Sequence, residues 1–184
     1  MKLTPSSWRA QYRRVAGVGL ALGILALSAC AFRPLYGAGS QQLQSAVVQE
    51  LGLIQVPLGP NRLDQIVYGN LLDLLTPYGA PQEPRYRLAL NLDESKQGVA
   101  LERDATISRF NLTLKAEFSL QNALTGASIF SGSVRAVSAY NVLRSEFANV
   151  IAERDARNRA ARDVSDEIKT RLSVYFHGLT AGAQ

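Results

Sequence analysis

The sequence has few of the residues from which metal centres and catalytic triads are built. Its 184 residues include one cysteine and one histidine. A single cysteine excludes a disulfide framework and a zinc site with several cysteine ligands. The histidine, His177, lies close to the C-terminus, where we expect an exposed terminal residue. Since the sequence also lacks a Gly-rich phosphate loop and a nucleophile–base pair, we predict that the protein is not an enzyme and needs no metal or cofactor.

Acidic residues are missing from the N-terminal region, and Glu50 is the first of them. Basic residues instead precede an uncharged, largely apolar run over residues 15–27. These are Lys2, Arg9, Arg13 and Arg14. A basic start followed by a short apolar run is typical of a secretory signal peptide. The run is shorter than the roughly 20 residues that a membrane-spanning helix needs. An N-terminal anchor that is never cleaved is the alternative.

The only cysteine closes this run. Leu27-Ser28-Ala29-Cys30 resembles the lipobox of bacterial lipoproteins, in which small residues precede an acylated cysteine. The motif predicts that residues 1–29 are a signal peptide cleaved before Cys30, and that Cys30 carries the lipid that anchors the protein to a membrane. Two or more acyl chains anchor a protein stably without a spanning helix. A buried structural cysteine is the alternative.

Cleavage of the signal peptide removes most of the positive charge. The full chain carries 20 basic and 15 acidic side chains, a net charge of +5. Residues 1–29 hold four of the basic residues and no acidic one, so the mature chain has a net charge of +1. Non-specific nucleic-acid binding needs an excess of cations, and we therefore expect no nucleic-acid partner. Ala31 follows the cysteine, where Asp would signal inner-membrane retention in enterobacteria, and this predicts delivery to the outer membrane.

The mature chain is long enough for one domain. Residues 30–50 contain Gly37, Gly39 and Ser40 and are expected to form a lipidated tether, and residues 51–184 the folded domain. Hydrophobic periodicity and turn residues predict six elements in this domain. They are a strand at 53–58, a helix that begins after Gly59 and ends before Pro77, strands at 85–92, 109–120 and 128–140, and a helix at about 145–175.

Residues 109–120 alternate strictly between apolar and polar side chains. Such alternation is typical of an antiparallel strand with one buried face. Both helices can cover that face, so we predict an α+β fold, a two-layer sandwich in which two helices pack on one face of a four-stranded mixed sheet. A helix joins the first two strands, which can therefore be parallel neighbours or non-adjacent.

The last helix carries an interrupted apolar stripe. Its apolar residues share one sector at 100° per residue, but Arg154, Arg157 and Asn158 fall in the same sector. The arginines can lie along the edge of the core with their charged groups in water. Alternatively, this part of the helix overhangs the sheet and meets a polar partner.

The polar face of the sheet is rich in cations. They are Arg85, Arg87, Arg109, Lys115 and Arg135, beside a single acid, Glu117. Cations on a flat polar face suit contact with phosphate groups, and protection of exposed sheet surface by charge is the alternative. A second charged segment contains Asp93, Glu94, Glu102 and Asp104 with Lys96 and Arg103 between them. We interpret it as a solvated loop whose charges compensate each other.

Several segments resemble one known family. Residues 30–37, Cys-Ala-Phe-Arg-Pro-Leu-Tyr-Gly, resemble the start of mature lipopolysaccharide-assembly lipoproteins of the LptE family, alphaproteobacterial type. Further matches are Pro84-Arg-Tyr-Arg-Leu88, the strand from Arg109 to Phe118, Gly132-Ser-Val-Arg135 with Tyr140-Asn141, and Asp155-Ala-x-x-Arg-Ala160. The resemblance covers nearly the whole mature chain, and the family's fold of a sheet with two helices agrees with the pattern above.

This resemblance implies a non-enzymatic lipoprotein of the outer membrane. LptE proteins plug the β-barrel LptD, assist its assembly, and bind lipopolysaccharide (LPS) for transport to the outer leaflet. In the family, LPS contact is attributed to basic residues near the second–third strand connection and beyond the last strand. Arg103 lies near the first position, and Arg144 and Arg154 are the cations nearest to the second. Arg103, from this resemblance, and three cations of the polar sheet face, Arg109, Lys115 and Arg135, are the candidate LPS-binding residues.

The main alternative is an auxiliary lipoprotein of an ABC-type lipid transport system. Such a protein would share the lipobox and a small α/β domain, but not the segment Phe32-Arg-Pro-Leu-Tyr36.

Overall fold

A four-stranded sheet and three helices make up the part of the chain that the computed structural model describes, residues 38–101, 107–142 and 144–182. The N-terminal elements are helix α1 (Ala38–Leu51), strand β1 (Ile54–Gln55) and helix α2 (Arg62–Leu75). Strands β2 (Tyr86–Leu101), β3 (Ile107–Asn122) and β4 (Ser128–Asn141) follow, and helix α3 (Glu146–Gly182) is the last element that the structure describes. The α+β class is therefore confirmed.

The sheet is mixed, and its strands lie in the order β1-β2-β3-β4. Strand β1 runs parallel to β2, with Ile54 opposite Tyr86. The other two pairs are antiparallel. The turn between β3 and β4 contains Gly126, whose φ of 71° suits glycine. The first two strands are thus parallel neighbours, the former of the two arrangements that the sequence left open.

The two faces of the sheet differ in composition because side chains alternate along each strand. Even-numbered residues point towards the helices and are largely apolar, and odd-numbered residues form the opposite surface, here called the open face. Leu88, Leu112, Leu114, Ala116 and Leu120 are fully buried on the covered face. They share one core with residues of α2 and α3, including Val67, Leu71, Ile168 and Leu172.

Helix α2 has the limits that its sequence predicts. The backbone N–H of Asn61 donates a hydrogen bond to the Asp64 carboxylate at 3.2 Å, which fixes the first turn. The helix ends at Leu75, before Pro77, and the Thr76 hydroxyl donates to the Leu72 carbonyl at 3.0 Å. Helix α3 is longer than expected and runs to Gly182.

The tether expected over residues 30–50 is wrong where the structure describes it. Helix α1 covers Ala38–Leu51, and Val47 and Leu51 are buried in the core. Among the α1 side chains that the structure describes, from Gln44 onwards, these two are the buried ones and lie one turn apart, so the apolar periodicity is too short to be recognised in the sequence. Residues 1–37, which contain the expected signal peptide, Cys30 and the start of the tether, lie outside the described residues.

The solvated loop expected after residue 92 is also wrong in its first part. Strand β2 continues to Leu101, and its second half pairs with β3 through Asp93–Lys115, Ser95–Thr113 and Gln97–Asn111. The sequence here is polar on both faces and therefore has no period of two. Pairing with the regular strand β3 extends β2 in spite of that. Glu102, Arg103 and Asp104 lie outside the described residues.

Within the described residues, the helices have no apolar stretch long enough to cross a lipid bilayer.

Candidate functional site

A charged row crosses the open face of the sheet. Lys115 on β3 lies directly opposite Asp93 on β2 and directly opposite Arg135 on β4. Directly opposite residues have Cβ atoms about 5 Å apart, and like charges in such a pair destabilise a sheet. Repulsion between the neighbouring charges of Lys115 and Arg135 therefore destabilises the sheet.

The positive charge of Lys115 is partly neutralised by Glu117 on the same strand. Its ammonium group forms an ion pair with Glu117 at 2.6 Å, and both side chains are about half exposed. The pKa of Lys115 is raised, chiefly by the hydrogen bond to Glu117, and the same bond lowers the pKa of Glu117. Asn91, Asp93, Lys115 and Glu117 line a shallow depression of about 330 Å³. An incoming anion would have to replace Glu117 as the partner of Lys115.

Arg135 has no such compensation. It is exposed, and the described residues place no carboxylate within ion-pair distance of it. A guanidinium group can donate two parallel hydrogen bonds to a phosphate. Arg135, with Lys115 beside it, is therefore the position on the open face that is best suited to an anion.

The other two candidate residues do not join this pair. Arg109 lies on the open face opposite Asn141, six residues along β3 from Lys115. At about 3.4 Å per residue, the two positions are separated by about 20 Å. Arg103 lies outside the described residues. The structure thus brings together Lys115 and Arg135 but leaves Arg109 apart.

The covered face carries a second charged group that the sequence analysis missed, here called the distal cluster. It consists of Glu94 and Lys96 on β2, Tyr140 on β4, and Glu153 and Arg157 on α3. Arg157 donates to both carboxylate oxygens of Glu94, from Nε at 2.6 Å and from Nη2 at 2.9 Å. Glu153 accepts hydrogen bonds from Lys96 at 3.0 Å, from Arg157 at 2.8 Å and from Tyr140 at 3.3 Å.

Partial burial strengthens the distal cluster. The side chains of Glu94, Glu153 and Arg157 are between 19% and 28% exposed. The hydrogen bonds that Arg157 donates to Glu94 raise the pKa of Arg157, and the hydrogen bond from Lys96 lowers the pKa of Glu153. Burial raises the pKa of the Tyr140 hydroxyl. The hydrogen bonds of the distal cluster attach the N-terminal part of α3 to the sheet, beyond the end of the apolar core.

The structure accounts for one of the two arginines that interrupt the apolar stripe of α3. Arg157 meets a polar partner within the chain, Glu94, and does not lie in water at the core edge. Arg154 is exposed. The signal in the sequence is the position of Glu94 and Lys96, which continue the even-numbered phase of the apolar residues of the preceding strand.

Comparison with known families finds a match. The model of the LptE family, described as lipopolysaccharide-assembly, matches residues 33–172. Comparison with curated proteins finds no significant match.

Solved structures of lipoproteins share the fold. A chain from Caulobacter crescentus CB15, described as a candidate lipoprotein, has 20% identity and a TM-score of 0.63, over 73% of this chain and 98% of that one. Rare lipoprotein B from Shewanella oneidensis has 15% identity and a TM-score of 0.52, over 69% and 96%. Lipoprotein B from Nitrosomonas europaea has 15% identity and a TM-score of 0.53, over 66% and 81%. At these identities, the likeness concerns the fold.

Proposed function

Because this chain belongs to the LptE family of lipopolysaccharide-assembly proteins, we propose that it is a lipid-anchored outer-membrane protein that plugs LptD, assists the assembly of that barrel and binds LPS. The observation that carries the proposal is the extent of the family match, which covers most of the predicted mature chain. We propose no catalytic role.

The anchor in this proposal is the acylated Cys30. The family match begins at residue 33, three positions after Cys30 of the expected lipobox. This position supports processing at Cys30, because the matched region then corresponds to almost the entire processed protein. Lipoprotein neighbours in the structural comparison have the same fold.

The open face is the surface that we assign to LPS. The lipid A part of LPS carries phosphate groups, and a charge-assisted hydrogen bond from arginine or lysine is their usual contact. Arg135 supplies an uncompensated guanidinium group, and Lys115 stands directly opposite it. Arg109 would contact a different part of a long ligand, because it lies about 20 Å along the strand.

A protein that fills a barrel lumen needs a polar exterior with little net charge. The predicted mature chain has a net charge of +1. The open face is lined with Ser, Thr and Asn between its charges, including Ser95, Asn111, Thr113 and Ser133. These properties support the plug over a role in which a strongly charged surface recruits a partner.

Removal of the two adjacent cations tests the LPS site. Lys115→Gln with Arg135→Gln should weaken LPS binding by about tenfold or more, since a hydrogen bond to a charged group contributes about 1.5–3 kcal/mol. The matched control is Arg62→Gln with Arg162→Gln, which removes two exposed cations from the helices. Binding is measured on the purified full chain by titration with LPS. Equal losses in both double variants, or no loss in the first, would place the site elsewhere.

A further inference from the structure

Strand β4 is the outermost strand on one side of the sheet. Strand β3 pairs with one of its edges, and among the described residues no strand pairs with the other, here called the free edge. Strand β4 has 14 residues, Ser128–Asn141, whereas strands usually have about 5–6. From Phe130 to Asn141 its register with β3 is continuous. The free edge is therefore a long and regular row of backbone hydrogen-bonding groups.

Two hydrogen bonds identify the residues of β4 whose backbone groups point to the free edge. The N–H of Ala123 donates to the Arg85 carbonyl at 2.9 Å. Because bonding direction alternates along an antiparallel strand, odd-numbered residues of β3 bond to β2 and even-numbered residues bond to β4. Odd-numbered residues of β4 therefore direct N–H and C=O outward, and the bond from Arg159 to the Ala139 carbonyl at 3.2 Å agrees with this phase. The other outward-facing residues of the regular strand are Ser131, Ser133, Arg135, Val137 and Asn141.

The free edge has little of the protection that exposed strand edges usually carry. Proline, bulges and several charged side chains are the common forms of protection. Strand β4 has no proline and a single charged residue, Arg135, and its only register shift with β3 lies at its start. Strand β2, beyond its first two residues, also has no neighbour on its outer side among the described residues. It carries Asp93, Glu94 and Lys96, however, and its register shifts after Gly98. Addition of a further strand is therefore less opposed at β4.

Val137 is an apolar side chain on this edge that the chain leaves uncovered. It is 49% exposed on the open face, and its neighbour on β3 is the polar Thr113. Helix α3 lies on the other face of the sheet and does not cover it. A strand paired with the free edge would place a side chain about 5 Å from Val137, and an apolar side chain there would shield it from water.

Arg135 argues against a second copy of this chain as that strand. Antiparallel self-pairing over most of the free edge places the two copies of Arg135 directly opposite or diagonal to each other, where like charges destabilise a sheet. Strand β4 contains no acid to compensate them. The occupant is therefore a strand of another protein, without a cation opposite Arg135. An acid at that position would neutralise the guanidinium group that we assign to LPS, so an uncharged residue satisfies both contacts.

We propose that an extended segment of LptD pairs with the free edge of β4 and adds a strand to the sheet, with an uncharged residue opposite Arg135 and an apolar one opposite Val137. This inference rests on the proposed function, in which the chain lies in the lumen of that barrel. The strands of a closed barrel wall have no free edge of their own. The segment is therefore a loop that enters the lumen. Pairing uses the backbone of β4 and leaves the side chains of the open face to LPS.

Photo-crosslinking in the native membrane tests this pairing. The photoreactive amino acid p-benzoylphenylalanine replaces Ser131 or Val137 in the tagged full chain, and mass spectrometry locates the adducts in LptD. An added strand predicts that both adducts lie in one LptD segment, about six residues apart, as positions 131 and 137 are. The matched control is the same replacement of Thr113, on the open face of the central strand β3. Its adducts should not lie in that segment, because β4 separates β3 from the added strand.

Proline at position 133 tests the role of the backbone. Ser133→Pro removes one outward N–H and no hydrogen bond to β3, and proline is tolerated at such edge positions. It should lower the yield of the Val137 adduct about fivefold, as expected for the loss of one hydrogen bond. Ser133→Ala keeps the N–H and should leave the yield unchanged. Circular dichroism of the purified variants verifies folding, and if the proline variant does not fold, the spacing of the two adducts decides.

The outcomes separate this inference from the proposed function. Recovery of LptD with adducts from Ser131 and Val137 in unrelated segments, or with equal adduct yields from the proline and alanine variants, would overturn the added strand alone. Adducts between two copies of this chain at both positions would identify a second copy as the occupant and overturn it as well. Absence of LptD from every capture, including that of the unsubstituted chain, would overturn the proposed function and the added strand with it.

Discussion

Arg157 on helix α3 donates two hydrogen bonds to the carboxylate of Glu94 on strand β2, at 2.6 and 2.9 Å. The two residues are 63 positions apart in the chain. Their side chains are 26% and 19% exposed, so the pair is well shielded from water. This contact joins the two layers of the fold beyond the end of the apolar core.

Arg157→Ala should therefore lower the free energy of unfolding by about 1.5–3 kcal/mol, because it leaves the largely buried carboxylate of Glu94 without its charged donor. The control is Arg171→Ala, which removes an exposed pair with Glu167 one turn away. Such exposed pairs contribute about 0.3–0.5 kcal/mol. Urea unfolding measures both variants, and equal losses would mean that the Arg157–Glu94 contact has no special role.

The Glu153 carboxylate should make stability depend on pH. Its pKa is lowered in the folded protein, chiefly by the hydrogen bond from Lys96. A lowered carboxyl pKa contributes stability above the unfolded pKa, about 4.3 for glutamate, and this contribution is lost as the pH falls through the folded pKa. Wild type should therefore exceed Glu153→Gln in stability at pH 7, and the difference should shrink below about pH 4. A difference that is constant between pH 7 and pH 3 would exclude this role.

Gly132 makes room for an aromatic ring on the covered face. It lies opposite Phe118, and a Cβ atom at position 132 would lie 2.9 Å from Cζ of that ring. Gly132→Ala should destabilise the protein by about 1–3 kcal/mol, the usual cost of overpacking. Gly178→Ala is the control, because a Cβ atom in that part of α3 meets nothing within 4 Å. Alanine there should raise stability by up to about 1 kcal/mol. Thermal unfolding of both variants checks the prediction, which requires opposite signs.

The regular part of the fold could be predicted from local patterns. The alternation from Arg109 to Leu120 identifies strand β3 and its buried face, and the residues around Pro60 and Pro77 mark the ends of helix α2. These signals depend on neighbours in sequence. The open-face positions of Arg109, Lys115 and Arg135 followed from the same alternation.

The other features of the fold and of the candidate site depend on contacts between residues that are distant in sequence. Whether Lys115 meets Arg135 is decided by the register between β3 and β4, which the sequence alone does not specify. The sequence pattern places Glu94 in a loop because its partner, Arg157, is remote in sequence. Helix α1 is not predicted because Val47 and Leu51, the buried residues among its described side chains, give too little periodicity.

Cys30→Ala should leave the protein without its proposed acyl anchor. The expected product is unprocessed precursor or a protein that no longer fractionates with the outer membrane, because the residue that carries the lipid is missing. Membrane fractionation with labelled palmitate measures both effects, and Cys30→Ser gives a second variant with a hydroxyl in place of the thiol. Normal outer-membrane fractionation and labelling of the alanine variant would contradict the proposal that Cys30 carries the lipid anchor.

Co-purification tests the proposed partnership with LptD most directly. The full chain, with a C-terminal affinity tag, is extracted from its native membrane in mild detergent, and the captured proteins are identified and quantified by mass spectrometry. The proposed plug predicts LptD in a ratio near one to one. Capture of inner-membrane ABC transporter subunits without LptD would contradict the plug and favour the auxiliary lipoprotein of a lipid transport system.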